Sequence, residues 1–452
     1  MTNFKLIKRS DFPQDFVFGV ATAAYQIEGS ALGANGLGMG TSHWDSFSAT
    51  KGNSLGGDTG AHACDHYNRF EEDLDLVKQG GFGGYRFSFS WPRLIPNGTG
   101  ALNAEGFDYY DRLIDAMLAR GIKPNGTLYH WDLPSALADK GGWMNRDIAD
   151  WFADYAVQVA QRFGDRLDML ATINEPWCVS FLSHFIGAHA PGYRDIRATA
   201  RSMHHVLFAH GKAIQALRAE NDQLDLGIVL NLAQVEPADD SADTQWAVQR
   251  LDNICNRWFL DGTLKGQYPA DLTEAFAPWM PENFQDDMQS VAAPMDWLGI
   301  NYYTRELAFK AQNPAFPGIE AKRGDLPKTG IGWEVYPQGL GILMERIRTE
   351  YGNPRLYITE NGMALPAPDS APGELVEDQM RADYFDSHLE VCAQAIAKGS
   401  DLRGYFGWSL LDNFEWSEGY SQRFGLVHVD YETQKRTPKT SYQCFADLLK
   451  GD

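Results

Sequence analysis

The chain lacks any pattern of paired cysteines. Among 452 residues there are only five cysteines, at positions 64, 178, 255, 392 and 444, and no C-x-x-C motif occurs. An odd number of widely separated thiols argues against a disulfide framework. We therefore expect the protein to belong to a reducing compartment, the cytoplasm.

Long hydrophobic runs are also missing. No window approaches the roughly 18 uninterrupted apolar residues that a membrane-spanning helix needs. The N-terminal stretch 1–16 (MTNFKLIKRSDFPQDF) contains no apolar segment of the kind found in secretory signals. We expect neither a membrane span nor a signal peptide, in agreement with a cytoplasmic protein.

Positive charge is scarce. Lys and Arg total 39 against 60 Asp and Glu, a formal net charge of -21. Such an acidic surface repels phosphate backbones and anionic lipids, so we expect no nucleic-acid or membrane partner. Aromatic residues make up 13% of the chain. The simpler interpretation is a large aromatic core; the alternative is that some rings stack against an uncharged ligand such as a sugar.

Short apolar segments alternate with longer helical patterns along the chain. The predicted strands are 16–22, 84–90, 122–129, 168–173, 226–231, 296–302, 355–360 and 403–410. Strand followed by helix, repeated eight times, is typical of an α/β fold built as a (β/α)8 TIM barrel. A doubly wound open sheet has the same local rhythm, so the count of eight decides between the two. No break in composition divides the chain, and we expect one catalytic domain over 1–452.

Helical periodicity is clearest in three of the connecting segments, 107–120, 147–163 and 378–397. In the first, apolar residues recur every three or four positions, and Gly121 predicts the end of the helix. The buried face predicted for that helix consists of Tyr110, Leu113, Ile114, Met117 and Leu118.

Two long segments, 30–60 and 304–336, have no clear periodicity and are rich in glycine, proline and polar residues. Each follows a predicted strand, and in a barrel such extended βα loops surround the active site. Disordered insertions are the alternative. Each segment contains a tryptophan, Trp44 or Trp333, and neither is of low complexity, which favours ordered loops.

Two glutamates follow apolar strands. Glu175 lies in TINEP at 172–176, and Glu360 lies in TENG at 359–362. These are predicted strands four and seven, which face each other across a closed barrel of eight. Either glutamate alone would be interpreted as a helix cap or a surface charge. Two carboxyl groups on opposite walls of one pocket are what cleavage of a glycosidic bond requires.

The sequence resembles glycoside hydrolase family 1 from residue 11 to about 445. The similar segments are FVFGVATAAYQIEG (16–29), GDTGAHACDHYNRFEEDLDLVK (57–78), YRFSFSWPRL (85–94), TLYHWDLPSAL (127–137), TINEPWC (172–178), GINYYT (299–304), GWEVYPQGL (332–340), YITENG (357–362) and YFGWSLLDNFEWSEGYSQRFGLVHVDY (405–431). The resemblance implies a (β/α)8 barrel that acts as a retaining β-glycosidase, and we expect a β-glucosidase.

The resemblance also implies the roles of the catalytic groups. Glu175 matches the general acid/base and Glu360 the nucleophile of the family, while Arg86 and Tyr303 match the residues that support the nucleophile. The acid must begin protonated, so we expect burial and the charge of Glu360 to raise the pKa of Glu175 toward about 6.

Recognition of the sugar is implied in the same way. The matching substrate-binding residues are Gln26, His130, Asn174, Trp408, Glu415 and Trp416, and Trp333 matches the aromatic that contacts the leaving group. His130 by itself would be interpreted as a packed core histidine. A carboxylate at Glu415 would repel a sugar phosphate, which predicts a non-phosphorylated substrate.

We expect no cofactor and no metal. His62 and His66 have the i, i+4 spacing of metal ligands, but we interpret HACDHYNRF as the start of a packed helix. Two alternatives to hydrolysis remain: transglycosylation at the same site, and an inactive carbohydrate-binding barrel. The intact set of catalytic residues argues against the second. The natural aglycone and the oligomeric state cannot be predicted from these residues.

Overall fold

The structure of the protein is a computed structural model that describes residues 3–32, 36, 38–367 and 376–450. Four residues of the segment 30–60, at 33–35 and 37, lie outside this description, as do both ends of the predicted domain 1–452.

Eight parallel strands form a closed barrel, and we number them in chain order. They are β1 (Val17–Ala21), β2 (Gly84–Ser88), β3 (Lys123–Tyr129), β4 (Met169–Asn174), β5 (Leu226–Asn231), β6 (Trp297–Asn301), β7 (Leu356–Asn361) and β8 (Leu402–Trp408). Parallel pairing of β1 with β8, with Gly19 opposite Phe406, closes the barrel. Each predicted strand is present, and closure confirms the (β/α)8 barrel and excludes the open sheet.

Helices connect the strands around the outside of the barrel. The longer ones are His66–Gln79, Ala104–Ala119, Ile148–Phe163, Ile196–Glu220, Ala242–Asp252, Trp258–Lys265, Pro337–Glu350, Gln379–Ala397 and Thr440–Lys450. The shorter α-helices are Ala24–Ile27, His43–Ala49, Trp91–Leu94, Ser135–Ala138, Ala270–Phe276 and Met288–Val291. Two segments, Cys178–Ile186 and Asn253–Arg257, are π-helical. Single 3₁₀ turns occur at Arg9–Asp11, Leu55–Gly57, Gly142–Met144, Phe284–Asp287 and Trp416–Glu418.

The helix Ala104–Ala119 illustrates how periodicity sets the packing. Tyr110, Leu113, Ile114 and Met117 are buried as predicted. Leu118 is 45% exposed, and its predicted burial is wrong. One residue corresponds to about 100° of helix rotation, which carries Leu118 beyond the edge of a buried stripe that includes Met117.

The second long segment is more regular than predicted. Arg305–Lys310 and Ile319–Lys322 are strands that join Gln234–Pro237 in a three-stranded sheet. The prediction of an irregular loop over 304–336 is therefore wrong for these residues. Within 30–60, a helix starts at His43, where the Ser42 side chain accepts a hydrogen bond from the Asp45 backbone.

Two hydrophobic clusters hold the fold together. The larger lies between the strands and the surrounding helices. The smaller takes side chains from six strands that do not all neighbour one another, so its members meet inside the barrel. They include Ala21, Ala171, Val229, Trp297, Tyr357 and Phe406. Two further two-stranded ribbons pair Leu365–Pro366 with Gln422–Arg423 and Val427–Val429 with Arg436–Pro438.

A search of the described helices finds none with the length and apolar character required to span a bilayer.

Candidate active site

Glu175 is the first residue after β4, and its backbone turns sharply there. Its φ of 53° lies in the left-handed region, which costs a non-glycine residue roughly 1–2 kcal/mol. The turn is held by the Glu175 amide, which donates to the Val229 carbonyl at 2.9 Å, and Pro176 follows. The carboxyl group is thereby fixed at the C-terminal end of the barrel, with the residue only 5% exposed.

Glu360 lies within β7, and each oxygen of its carboxyl group accepts a hydrogen bond. Arg86 Nη1 on β2 donates to Oε1 at 2.6 Å, and the Tyr303 hydroxyl donates to Oε2 at 2.7 Å. Burial raises the pKa of Glu360, and the Arg86 charge is the strongest influence in the opposite direction. Arg86 and Tyr303 thus stabilise the ionised carboxylate, as a nucleophile requires.

Glu175 occupies a different electrostatic environment. Asn301 Nδ2 donates to its Oε1 at 2.6 Å, and Cys178 Sγ donates to its Oε2 at 3.1 Å. Burial, followed by the charge of Glu360, raises the pKa of Glu175 to about 8. This is the direction expected from the sequence, and the rise is larger than expected. A carboxyl group with this pKa is protonated at neutral pH and is suited to donate a proton.

A network of side chains connects the two glutamates through the floor of the site. Arg86 Nη2 donates to Asn174 Oδ1 at 2.7 Å, and Asn174 Nδ2 lies 3.2 Å from His130 Nε2. Asn301 Nδ2 also donates to Asn174 Oδ1 at 3.1 Å, and Thr359 Oγ1 donates to Asn301 Oδ1 at 2.8 Å. These groups come from four strands and from the residue that follows β3, so the barrel itself sets their spacing.

Gln26 is buried against the segment that carries the half-buried Glu415. Gln26 Nε2 donates to Asn413 Oδ1 at 3.0 Å and to the Phe414 carbonyl at 2.8 Å, next to Glu415. Within the described part of the chain, Gln26 Oε1 and Glu415 Oε2 have no hydrogen-bond partner. Burial, then the charges of the catalytic pair, raises the pKa of Glu415 well above its usual range. A buried acceptor without a hydrogen-bond partner costs free energy, because it has lost its water and gained nothing in return. These two oxygens can therefore accept hydrogen bonds from the hydroxyl groups of a ligand.

Aromatic rings line the same region. The His130 ring lies 5.8 Å from the Trp408 ring at 18° and 6.1 Å from the Trp416 ring at 14°. Trp333, from the second long segment, packs against Tyr303 with ring centroids 5.3 Å apart. Hydrogen bonds and ring contacts thus connect nine of the predicted site residues, and Gln26 lies against the segment that carries Glu415. The nine are Arg86, His130, Asn174, Glu175, Tyr303, Trp333, Glu360, Trp408 and Trp416.

Asn301 and Cys178 both contact Glu175, and neither was predicted from the sequence as a site residue. Asn301 is the last residue of the apolar strand β6, and a polar side chain at that end of a barrel strand is a signal that could have identified it. Cys178 begins the π-helix one turn after Glu175, and a π-helical turn is often found near functional sites. Nothing in the sequence alone marks that thiol as a contact of the carboxyl group.

The two histidines with metal-like spacing do not form a cluster. His66 starts the helix His66–Gln79, and its Nδ1 lies 2.8 Å from Asp73 Oδ2, a buried structural contact. Across the residues that the structure describes, no group of three or more His, Cys, Asp or Glu side chains is arranged to hold a metal ion.

Comparison with known proteins agrees with this geometry. Residues 8–452 match the family described as Glycosyl hydrolase family 1. Beta-glucosidase A of Thermotoga maritima is 46% identical over 98% of both chains, and a beta-glucosidase of Agrobacterium sp. is 46% identical over 97% of this chain and 95% of its own. A solved beta-glucosidase from Thermotoga maritima in complex with deoxynojirimycin superposes with a TM-score of 0.92 at 46% identity, covering 97% of this chain and 98% of its own. The chain therefore belongs to glycosyl hydrolase family 1 and is a glycoside hydrolase.

Proposed function

We propose that the chain hydrolyses terminal, non-phosphorylated β-D-glucosyl residues with net retention of anomeric configuration, as a single catalytic domain. The observation that carries this proposal is the contrast between two buried carboxyl groups. Glu360 is held by Arg86 and Tyr303 as a carboxylate, whereas the pKa of Glu175 is raised to about 8. One acid and one nucleophile at the same barrel mouth match a double displacement.

The first displacement forms a covalent intermediate. A Glu360 oxygen attacks the anomeric carbon as the bond to the leaving oxygen breaks, and the Glu175 proton passes to that oxygen. The sugar becomes an ester of Glu360 with inverted configuration. Arg86, at 2.6 Å from Glu360 Oε1, stabilises the carboxylate before attack and contributes less once the ester has formed.

The second displacement releases the sugar. Glu175, now ionised, takes a proton from water while the water oxygen attacks the anomeric carbon, and Glu360 leaves as a carboxylate. Two inversions give net retention. This sequence needs the two carboxyl groups about 5–5.5 Å apart.

The remaining residues recognise the sugar in this proposal. Asn174 binds the 2-hydroxyl, where the hydrogen bond strengthens in the transition state. Gln26 and Glu415 bind the 3-, 4- and 6-hydroxyl side, His130 and Trp416 add further contacts, and Trp408 lies beneath the ring. The unpaired acceptors Gln26 Oε1 and Glu415 Oε2 support this assignment. Trp333, next to Tyr303, contacts the leaving group.

The preference for glucose rests on similarity and on charge. The solved beta-glucosidase from Thermotoga maritima is in complex with deoxynojirimycin. The half-buried Glu415 would repel a phosphate at the far side of the sugar ring, or would have to be protonated beside it. Both points favour an uncharged β-glucoside.

We also propose that the protein works in the reducing cytoplasm. All five cysteines are free and buried. The formal net charge of -21 argues against nucleic acid or an anionic membrane as a partner and is compatible with a small-molecule substrate.

Covalent labelling tests the mechanism. An activated 2-deoxy-2-fluoro β-glucoside should inactivate the enzyme, and peptide mass spectrometry should find the label on Glu360. Fluorine slows both displacements, whereas the activated leaving group keeps the first one fast, so the covalent intermediate accumulates. Glu360→Ala should lose turnover by at least about 10⁴-fold, whereas the exposed control Glu274→Ala should keep it. A label on another residue, or an α-anomer as the first product in proton NMR, would overturn the proposal.

A further inference from the structure

The two oxygens of Glu175 have different partners. Asn301 Nδ2 lies 2.6 Å from Oε1, and Cys178 Sγ lies 3.1 Å from Oε2. We propose that Asn301 and Cys178 are positioning residues that keep Oε1 an acceptor and place the acidic proton of Glu175 on Oε2. This inference rests on the proposed function, in which Glu175 is the general acid.

The orientation of both asparagine amides follows from Arg86. A guanidinium group can only donate hydrogen bonds, so the Asn174 atom 2.7 Å from Arg86 Nη2 must be the oxygen. The atom of Asn301 that faces this oxygen at 3.1 Å must then be its NH₂ group. The same NH₂ group points at Glu175 Oε1. Thr359 Oγ1, which donates to Asn301 Oδ1 at 2.8 Å, is satisfied by this orientation.

The amide orientation decides the position of the proton. Asn301 Nδ2 has no lone pair to accept a hydrogen bond, so a proton on Oε1 pointing toward it would be repelled. In a carboxylic acid the carbonyl oxygen is the better acceptor. Oε1 therefore keeps carbonyl character, and the hydroxyl group forms at Oε2.

The partner at Oε2 can adapt to both states of Glu175. A thiol is a weak donor and a weak acceptor, so it competes little for the proton that Oε2 must give to the leaving group. After that transfer, Cys178 donates to the ionised Oε2. Burial raises the pKa of the Cys178 thiol, which keeps it a neutral donor throughout. Cys178 is held in place as the first residue of the π-helix Cys178–Ile186.

Other ionisable groups also act on Glu175 and must stay constant in any test. Those whose charges interact with Glu175 are Arg86, Tyr303, Glu360 and Glu415, and His130 lies nearby against Asn174. Burial lowers the pKa of His130 well below its usual range, so this imidazole is neutral when Glu175 titrates. The tests below therefore change only Asn301 and Cys178.

Neutron diffraction from crystals of the full chain in heavy water tests the position of the proton directly. Below the pKa of Glu175, we expect deuterium on Oε2 and on the Asn301 amide that faces Oε1. Deuterium on Oε1, or on neither oxygen, would overturn the inference. This measurement does not depend on turnover, so it tests the position of the proton even if β-glucosides prove not to be substrates. Absence of turnover of β-glucosides would instead refute the proposed function.

The alkaline limb of kcat/KM for an activated aryl β-glucoside tests Cys178. Cys178→Ala removes a donor to the ionised carboxylate, so the apparent pKa of the alkaline limb should rise by roughly half a pH unit. Cys178→Ser restores a donor that is stronger than the thiol, so the limb should return to the wild-type position or move below it. Shifts of both variants in one direction, or none, would mean that Cys178 only fills space and would overturn its role.

Asn301→Ala tests the other oxygen. The limb should again move up, by roughly one unit, since the lost donor is a shorter and stronger hydrogen bond. The proton is then free to occupy either oxygen, so kcat/KM should fall at least about tenfold more for alkyl glucosides with poor leaving groups than for activated aryl glucosides. Equal losses on both substrates, with an unmoved limb, would assign Asn301 a purely structural role and refute its part in placing the proton.

Discussion

A carboxyl group with a raised pKa makes folding less favourable at the pH where the enzyme works. The pKa of Glu175 moves from 4.5 to about 8 on folding, chiefly because of burial. A raised pKa means that the folded protein binds the proton more tightly than the unfolded chain. The contribution of Glu175 to the free energy of unfolding is thus at its maximum below about pH 4.5 and declines as the pH rises toward about 8.

Replacing Glu175 by glutamine removes this pH dependence. We expect Glu175→Gln to raise the free energy of unfolding by at least about 1 kcal/mol at pH 8 and by much less at pH 5. The variant should therefore unfold at a higher temperature than the wild type, most clearly at pH 8. Thermal unfolding at the two pH values measures the difference. The exposed Glu274→Gln should show no such trend, and an equal gain for Glu175→Gln at both pH values would contradict the assigned pKa.

The two candidate catalytic glutamates can be identified in the sequence because each lies at the end of an apolar segment. Glu175 directly follows the apolar strand β4 and Glu360 is the penultimate residue of β7, so the structure places both at the same end of the barrel. Asn301 and Cys178 were not predicted, since their importance lies in contacts with one particular oxygen each. Such contacts depend on backbone angles, here the φ of 53° at Glu175, that no sequence pattern specifies.

Within β7, Asn361 has the opposite orientation to Glu360, as alternation along a strand requires. Its Nδ2 donates to the Tyr302 carbonyl at 2.6 Å and to the Tyr384 hydroxyl at 3.0 Å, and the Tyr405 hydroxyl donates to its Oδ1. The side chain thereby ties the strand that carries Glu360 to the segment that carries Tyr303.

Asn361→Ala should therefore weaken both the fold and the site. It leaves several buried polar groups unpaired, for a loss of about 2–4 kcal/mol in urea unfolding, and kcat should fall as Tyr303 loses its support. Tyr384→Phe removes only one of the partners of Asn361 and should cost about 1 kcal/mol. If the two variants were equally stable, Asn361 would not be the centre of this contact network.

Element prediction succeeded where local pattern decides and failed where distant pairing decides. The helix Ile148–Phe163 ends before Gly164, in close agreement with its periodicity. The strand Arg305–Lys310 was missed because it pairs with Gln234–Pro237, which lies far earlier in the chain. Its pattern RELAFK shows only a weak alternation, so the partner strand decides its conformation.

At the scale of the whole molecule, a crowded glycine lies where the first and last strands of the barrel meet. A Cβ atom on Gly19 would lie 2.4 Å from the Phe406 ring and 2.8 Å from the Gly84 carbonyl oxygen. Gly19 lies in β1, between β8 and β2, so the added atom would press on both neighbours. No larger residue fits here without displacing the seam, by which we mean the contact of β1 with β8 and β2 that closes the barrel.

Gly19→Ala should lower stability by about 2–3 kcal/mol, through overpacking at the seam. Gly407→Ala is the matched control on β8, because its Cβ would meet the Phe385 ring at 3.7 Å and Leu426 Cδ1 at 3.8 Å, both ordinary van der Waals contacts. Denaturant unfolding of the two variants should separate them clearly. A Gly19→Ala variant as stable as Gly407→Ala would show that the seam can relax.

The hydrogen bonds of the two catalytic carboxyl groups run from strand to strand, or to residues one turn beyond a strand. Neither group takes its position from the segments 38–60 or 305–336. We therefore expect natural or engineered exchange of these two segments to change which aglycones are accepted while the hydrogen bonds of both carboxyl groups are kept, provided that the contact of Trp333 with Tyr303 is kept as well.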